Sequence, residues 1–163
     1  MGLPSLMRRR RRFKPPFHPL NVTGESAGKK SCLFCSNGDN PVAMIFARQP
    51  SEPLAKLIKK IDEATAKNSS DSMGSFVVFL NDSEGLEKQL QAIAEKQKLK
   101  HCVLSIDNPA GPKGYKVNED ADVTVVLYTG RLAKANYAFK KGKMTEDDVT
   151  RIVGDLAKIL PAK

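Results

Sequence analysis

The chain has 163 residues, of which 40% are hydrophobic and 28% charged, so it suits one globular domain with tails rather than global disorder. The formal net charge is +9, but six of the 27 basic residues lie within residues 1–20, which contain no acid. The other residues together are only mildly basic. The chain has no tryptophan, and its few aromatic residues lie mostly in apolar runs, so it is a poor candidate for a base-stacking surface.

Residues 1–20 are predicted to be a basic, disordered tail, and residues 21–40 a leader loop, because they lack helical and strand periodicity. The positive charges of the tail are Arg8, Arg9, Arg10, Arg11, Arg12 and Lys14. The arginine run either binds nucleic acid or an anionic surface through phosphate contacts, or is a solvated tail. No apolar run follows Arg12, so this is not a complete signal peptide. No segment has the roughly 20 apolar residues of a membrane span.

A domain of alternating strands and helices is predicted from residue 41 to residue 163. Val42–Ala47 and residues 75–80 are continuous apolar runs, typical of strands buried on both faces of a sheet. Between them, Ser51 caps a helix whose apolar residues recur at helical spacing, with Asp62 on the solvent side. A second helix, capped by Asp82 or Ser83, leads to a third strand over residues 101–106. Helical crossovers make these three strands parallel.

The rest of the domain is predicted to be a connection, a hairpin and a helix. Residues 107–122 contain two prolines and two glycines and form the connection. Residues 123–128 and 133–139, joined by residues 129–131, are expected to pair as an antiparallel hairpin. Thr145 then begins an amphipathic helix that Pro161 ends.

This order of elements resembles the thioredoxin-like fold over roughly residues 41–160. The resemblance implies an α/β three-layer sandwich, with a central mixed sheet in β-α-β-α-β-β-β-α order and helices on both faces. The leader, with Cys32-Leu-Phe-Cys35 ahead of the strand at Val42, is also similar to a family of uncharacterised exported bacterial thioredoxin-like proteins. That likeness favours an extracytoplasmic location, periplasmic or secreted, and brings no known substrate or cofactor.

The chain departs from the thioredoxin pattern at both halves of the redox site. Thioredoxins carry their cysteines after a sheet strand, at a helix start that lowers the thiol pKa. Here that position, residues 48–53, has no cysteine. The family also has a cis-proline before the hairpin, and the matching residues 119–123 contain no proline. The resemblance therefore does not carry the usual oxidoreductase activity to this chain.

The spacing of Cys32 and Cys35 allows three interpretations: a local structural disulfide, a redox pair, or half of a zinc site. Lys29, Lys30 and Arg48 could favour thiolates by charge, which supports the redox interpretation. Zinc would need further ligands, and the soft or borderline candidates are Cys102, His18 and His101. Because Cys102 lies in an apolar run, we expect a buried thiol there and predict no metal site.

The leading hypothesis is a non-catalytic thioredoxin-like binding or accessory module, with a structural Cys32–Cys35 disulfide and an unknown protein partner. The first alternative is a thiol–disulfide oxidoreductase in which Cys32 attacks and Cys35 resolves. The second is binding of nucleic acid or an anionic surface through the arginine run.

Overall fold

The computed structural model describes residues 14–161, which form one mixed sheet of six strands with helices on both faces. The strands are β1 (Leu20–Asn21), β2 (Val42–Ala47), β3 (Gly74–Leu80), β4 (Val103–Asp107), β5 (Val123–Thr129) and β6 (Leu132–Phe139). The helices are α1 (Leu33–Asn37), α2 (Glu52–Lys67), α3 (Leu86–Gln97) and α4 (Glu146–Gly154), with 3-10 turns at Ser69–Asp71 and Asp155–Lys158.

The sheet has the order β1-β4-β3-β2-β5-β6. Strands β2, β3 and β4 are parallel, and β5 runs antiparallel to β2, with Val42 opposite Tyr128 and Ala47 opposite Val123. β5 and β6 form an antiparallel hairpin whose two turn residues, Gly130 and Arg131, both have φ near +60°. A two-residue hairpin turn needs this left-handed backbone to match the twist of its strands. The predicted common sheet and hairpin are therefore confirmed.

The first face of the sheet, which carries Ala43, Ile45, Val77 and Val125, is covered by the three long helices. Helix α2 contributes the buried residues Leu54, Leu57, Ile58 and Ile61, and α3 and α4 add Leu86, Leu90, Val149 and Ile152. These are the apolar positions at helical spacing in the sequence, because a helix beside a sheet buries the stripe that recurs every three to four residues. The predicted amphipathic faces are confirmed.

The second face of the sheet, which carries Val42, Met44, Phe46 and Phe76, has a thinner cover. That cover consists of α1, residues from the leader and the connection between β4 and β5, and its buried side chains include Phe17, Leu33, Phe34 and Tyr115. This layer is built from short and irregular segments. Its contacts therefore cannot be recognised from a single periodic pattern.

Two short elements form where the sequence predicts a tail and a loop. β1 pairs antiparallel with β4, and Val22 N donates a hydrogen bond to Leu104 O at 2.8 Å. α1 has five residues and starts at the Cys32 N-cap. Neither element is long enough to produce a detectable period, so the absence of periodicity does not imply the absence of structure. The division of the chain into a tail (1–20), a leader loop (21–40) and a domain (41–163) remains a prediction.

Three predictions about the helices are wrong. Gly85 is the N-cap of α3 and no side chain caps it, because Asn81 Oδ1 accepts a bond from Ser83 N and turns the chain ahead of the helix. Asp62 is buried rather than solvent-facing, at 4% exposure. The α-helix that begins after Thr145 ends at Gly154 and continues as a 3-10 turn, although the Thr145 cap forms as predicted.

Candidate functional site

Cys32 and Cys35 form a disulfide across the first turn of α1. Their Cα atoms are 5.2 Å apart, within the ordinary range for a disulfide. Cys32 is also the N-cap of the helix, and its Sγ accepts a hydrogen bond from Cys35 N at 3.1 Å. The predicted pairing of the two cysteines is confirmed, and it closes the start of the helix.

The two cysteines differ in exposure. Cys32 is only 8% exposed, and Leu33 and Phe34, which follow it, are buried as well. Cys35 is exposed. Thiol–disulfide exchange requires an accessible attacking sulfur. The cysteine predicted to attack in the redox interpretation is therefore the less accessible member of the pair.

The disulfide helix lies at the Val42 end of the central strand. The Phe34 ring centroid is 5.6 Å from that of Tyr128, and Tyr128 pairs with Val42 at the start of β2. Val123 pairs with Ala47 at the other end of β2. Five residue steps of about 3.4 Å separate the two ends, or roughly 17 Å. The contact between Phe34 and Tyr128 is thus at the end of β2 opposite to Val123.

Arg48 fills the position at which thioredoxins carry their redox motif. Its guanidinium donates hydrogen bonds to the backbone carbonyls of Pro109, Asn118 and Ala121. Its backbone N–H donates to Asp122 O at 2.9 Å, and its carbonyl accepts from Asn81 Nδ2 at 2.8 Å. These bonds hold the connection between β4 and β5 against the end of β2. The hydrogen bonds of its guanidinium all go to this connection, and none goes to a cysteine.

The remaining predicted ligands do not join the disulfide. Cys102 is a free, buried thiol on the first face, whereas the disulfide packs on the second face. Burial raises the pKa of Cys102 to about 12. His18 and His101 are exposed. Within residues 14–161, no three His, Cys, Asp or Glu side chains are grouped closely enough to hold a metal ion.

Two further predictions concern the arginine run and membrane spans. The arginine run Arg8–Arg12 lies outside the described residues, so its binding of nucleic acid or an anionic surface stays a prediction. In the part of the chain that the structure describes, no helix has the length and apolar character needed to cross a membrane.

An aromatic cluster beside the disulfide is the feature that sequence reasoning missed. The ring centroids of Phe17 and Tyr115 are 4.8 Å apart, and those of Phe34 and Tyr115 are 5.9 Å apart. Tyr128 extends the cluster along β5. The rings come from the predicted tail, the leader, the connection and a strand, so no local pattern joins them. The available signal was the presence of isolated aromatic residues in segments otherwise rich in proline, glycine and charge.

The mixed sheet, its β-α-β crossovers and the hairpin that precedes the last helix define a thioredoxin-like fold. What distinguishes this example is a disulfide outside the usual redox position.

Solved structures with this fold cover nearly the whole chain. A secreted disulfide oxidoreductase of Mycobacterium tuberculosis, homologous to DsbE of Escherichia coli, matches with a TM-score of 0.64 at 14% identity, over 91% of this chain and 97% of that one. Prx3 of Vibrio vulnificus gives 0.63 at 12%, over 88% and 96%. Peroxidoxin BcpB of M. tuberculosis gives 0.62 at 14%, over 91% and 96%. No family model and no curated protein matches the sequence. At these identities the likeness establishes the fold alone.

Proposed function

We propose that this protein is a non-catalytic thioredoxin-like binding or accessory module, in which the Cys32–Cys35 disulfide is structural. The observation that carries the proposal is the burial of Cys32, which is 8% exposed and packs in the second-face cluster, outside the sequence position used by thioredoxins. A nucleophilic cysteine must be accessible and must have its thiolate stabilised. Cys32 is the N-cap of α1 and its Sγ accepts a bond from Cys35 N, an arrangement that favours a thiolate, but at 8% exposure its sulfur is poorly accessible to a partner.

The packing around the disulfide supports a role in holding α1 on the sheet. Leu33 and Phe34 lie between the two cysteines in the sequence. Both side chains are buried and pack against the second face. A helix of five residues is too short to be stable by itself in water. Joining Cys32 to Cys35 restricts the unfolded chain, which for so small a loop contributes about 2 kcal/mol in the loop-entropy description.

A structural disulfide also implies an oxidising compartment, because cytosolic thiols are kept reduced. We therefore propose an extracytoplasmic location. The secreted M. tuberculosis oxidoreductase is a structural neighbour of the chain, which agrees with this proposal at the level of the fold.

The state of the cysteines in freshly isolated protein tests the proposal. Alkylation without a reductant, followed by mass spectrometry, should label neither Cys32 nor Cys35. Cys102 should be labelled only after denaturation, which gives an internal control for reagent access. Two free cysteines in protein taken from its native compartment would reject the structural disulfide.

The rival function is thiol–disulfide oxidoreductase, with Cys32 as attacker and Cys35 as resolver. Exposure of Cys35 favours it, because a partner thiol can reach that side of the disulfide. The two functions predict opposite results for insulin reduction with a dithiol donor. We expect no turnover above the rate of the donor alone. Turnover that a Cys32→Ser variant loses, while a Cys102→Ser variant keeps it, would establish the enzyme instead.

A further inference from the structure

Strand β6 is an open edge of the sheet. It is the last strand in the sheet order, and among the described residues it pairs only with β5. It has eight residues and contains no proline. The opposite edge is much shorter, because β1 has only two residues. Proteins usually shorten, cover or interrupt an edge strand, since its unpaired backbone groups otherwise bond to another chain. β6 therefore presents a long surface for strand pairing.

A hydrogen bond at the start of β5 fixes which residues of that strand face β2. Arg48 N donates to Asp122 O at 2.9 Å, one position beyond the pair of Ala47 and Val123. Antiparallel partners alternate between pairs that exchange hydrogen bonds and pairs that do not. The even-numbered residues of β5 therefore bond to β2, and the odd-numbered residues bond to β6.

The same alternation shows which backbone groups of β6 face outward. Tyr137 and Phe139 lie opposite odd-numbered residues of β5, so their backbone groups point toward that strand. The hydrogen bond from Asp122 N to Phe139 O, at 2.7 Å, agrees with this assignment. Asn136 and Ala138 therefore direct their N–H groups and carbonyls away from the sheet, and both residues are exposed.

The charge of this edge is positive. Residues 123–145, which include the β5–β6 hairpin and the loop after it, contain five basic residues and no acid. The basic residues are Arg131, Lys134, Lys140, Lys141 and Lys143. None of the four lysines forms an ion pair with a described acid. A second copy of β6 along this edge would bring like charges together, which destabilises a strand pair, whereas acidic side chains would be attracted.

We propose that β6 binds an extended, acidic segment of a partner protein as an added strand. The backbone of the partner exchanges hydrogen bonds with Asn136 and Ala138, and its carboxylates lie near Lys134, Lys140 and Lys141. Backbone bonds give such a pairing its affinity, and the side chains give it specificity. The inference rests on the proposed function as a binding module and names the class of its partner. Alkylation of the cysteines tests the disulfide alone, so either proposal can fail without the other.

Calorimetric titration of the full-length protein with three capped peptides of the length of β6 tests the proposal. The first alternates glutamate with valine, which favours an extended strand. The second replaces each glutamate by lysine and so reverses the charge. The third replaces each valine by proline, which keeps the charge but removes backbone donors. We expect the first peptide to bind at least about tenfold more tightly than the other two. Equal affinity for the first peptide and either control, or no binding of it at millimolar concentration, would overturn the proposal.

Amide hydrogen exchange, measured by NMR, locates the added strand. In the free protein the amides of Tyr137 and Phe139 should exchange more slowly than those of Asn136 and Ala138, because only the first two are bonded within the sheet. Free glutamate–valine peptide at about ten times its Kd should slow exchange at Asn136 and Ala138 about tenfold. Unchanged exchange at both residues while the peptide is bound would place the peptide elsewhere and reject the proposal.

Variants separate binding from folding. Ala138→Pro removes an outward N–H, and proline is tolerated on an edge strand where its nitrogen faces solvent. Its melting temperature should stay close to that of the wild type, and its affinity for the glutamate–valine peptide should fall about tenfold.

A pair of lysine variants tests the charge of the edge without changing its backbone. Replacing Lys140 and Lys141 by glutamine should weaken binding of the glutamate–valine peptide about threefold at low ionic strength, as expected for two exposed charges. Replacing Lys88 and Lys96, two exposed lysines of α3, is the matched control, because it removes the same charge and should leave binding unchanged. Normal binding by both the Ala138→Pro variant and the Lys140 and Lys141 variant would reject the proposal.

Discussion

Cys102 illustrates how burial alone determines the chemistry of a side chain in this protein. It is 3% exposed, packs in the first-face core, and has its pKa raised to about 12, chiefly by burial. An unperturbed thiol titrates near pH 8.5. The folded protein therefore keeps this thiol protonated and unreactive at a pH where the unfolded chain ionises it.

This difference predicts that the free energy of unfolding falls as the pH rises above about 9. Between the unfolded and folded pKa values, the native state binds one more proton at Cys102 than the unfolded state does. Stability is then lost at up to about 1.4 kcal/mol per pH unit, and it is fully present below pH 8. Urea unfolding of wild type and Cys102→Ala at several pH values checks this.

The comparison of wild type with Cys102→Ala isolates the contribution of the Cys102 thiol, because all other titratable groups are the same in both proteins. The Cys102→Ala variant should have the flatter slope between pH 9 and 10, and the two slopes should agree below pH 8. The pKa values of Tyr115 and Tyr128 are also raised by burial, so the free energy of unfolding should decline further above pH 10 in both proteins. Parallel curves for the two proteins between pH 9 and 10 would contradict the prediction.

Tyr115 and Tyr128 are two buried phenols with different partners. Tyr115 Oη donates a hydrogen bond to Pro15 O at 2.7 Å and so links the segment predicted to be a tail to the connection. Tyr128 Oη has no partner among the described residues. Both rings pack against Phe34. The hydroxyl of Tyr115 is therefore satisfied within the fold, whereas the buried hydroxyl of Tyr128 is not.

At the scale of elements, Asp62 joins α2 to the start of β4. Its Oδ1 accepts hydrogen bonds from the backbone N–H groups of Lys100, His101 and Cys102, at 3.0, 2.7 and 2.8 Å. One carboxylate oxygen thus satisfies three donors of a turn that has no other regular structure. The side chain fixes where β4 begins, which explains why the strand starts at Val103 rather than at the predicted residue 101.

Replacing Asp62 by alanine should therefore cost about 2–4 kcal/mol of unfolding free energy, because three backbone N–H donors lose their common acceptor. Glu63→Ala, at the exposed neighbouring position of the same helix, is the control and should change stability by less than about 0.5 kcal/mol. Chemical denaturation of both variants measures the difference. Similar unfolding free energies for the two variants would contradict this prediction, because they would mean that water replaces the Asp62 carboxylate without loss of stability.

Sequence reasoning succeeded for elements whose residues repeat, and failed for those fixed by single contacts. The strands at 42–47 and 75–80 and the faces of α2 and α4 follow from apolar runs and helical spacing. Asp62 looked exposed because the same spacing assigns it to the polar side of α2. α1 and the aromatic cluster depend on contacts between distant segments, so the candidate site beside them was not predictable beyond its two cysteines.

At the scale of the whole molecule, the two faces of the sheet are closed by different means. The first face carries long helices that follow their strands directly in sequence. The second is closed by residues that precede β2, namely Phe17, Leu33 and Phe34, together with Tyr115 from the connection. The described residues before β2 therefore contribute to the same fold as residues 41–161.

This arrangement predicts that the chain needs residues 14–40 to fold. Removing residues 1–40 deletes β1 and α1 and exposes Val42, Met44 and Phe46, whereas removing residues 1–13 deletes none of the described contacts. The lost burial of Phe17, Val22, Leu33 and Phe34, at about 1.5–3 kcal/mol each, is comparable with the entire net stability of a typical domain, about 5–15 kcal/mol. The 14–163 chain should unfold cooperatively near the wild-type temperature. The 41–163 chain should show no cooperative thermal transition by circular dichroism, and a normal transition for it would make the leader dispensable.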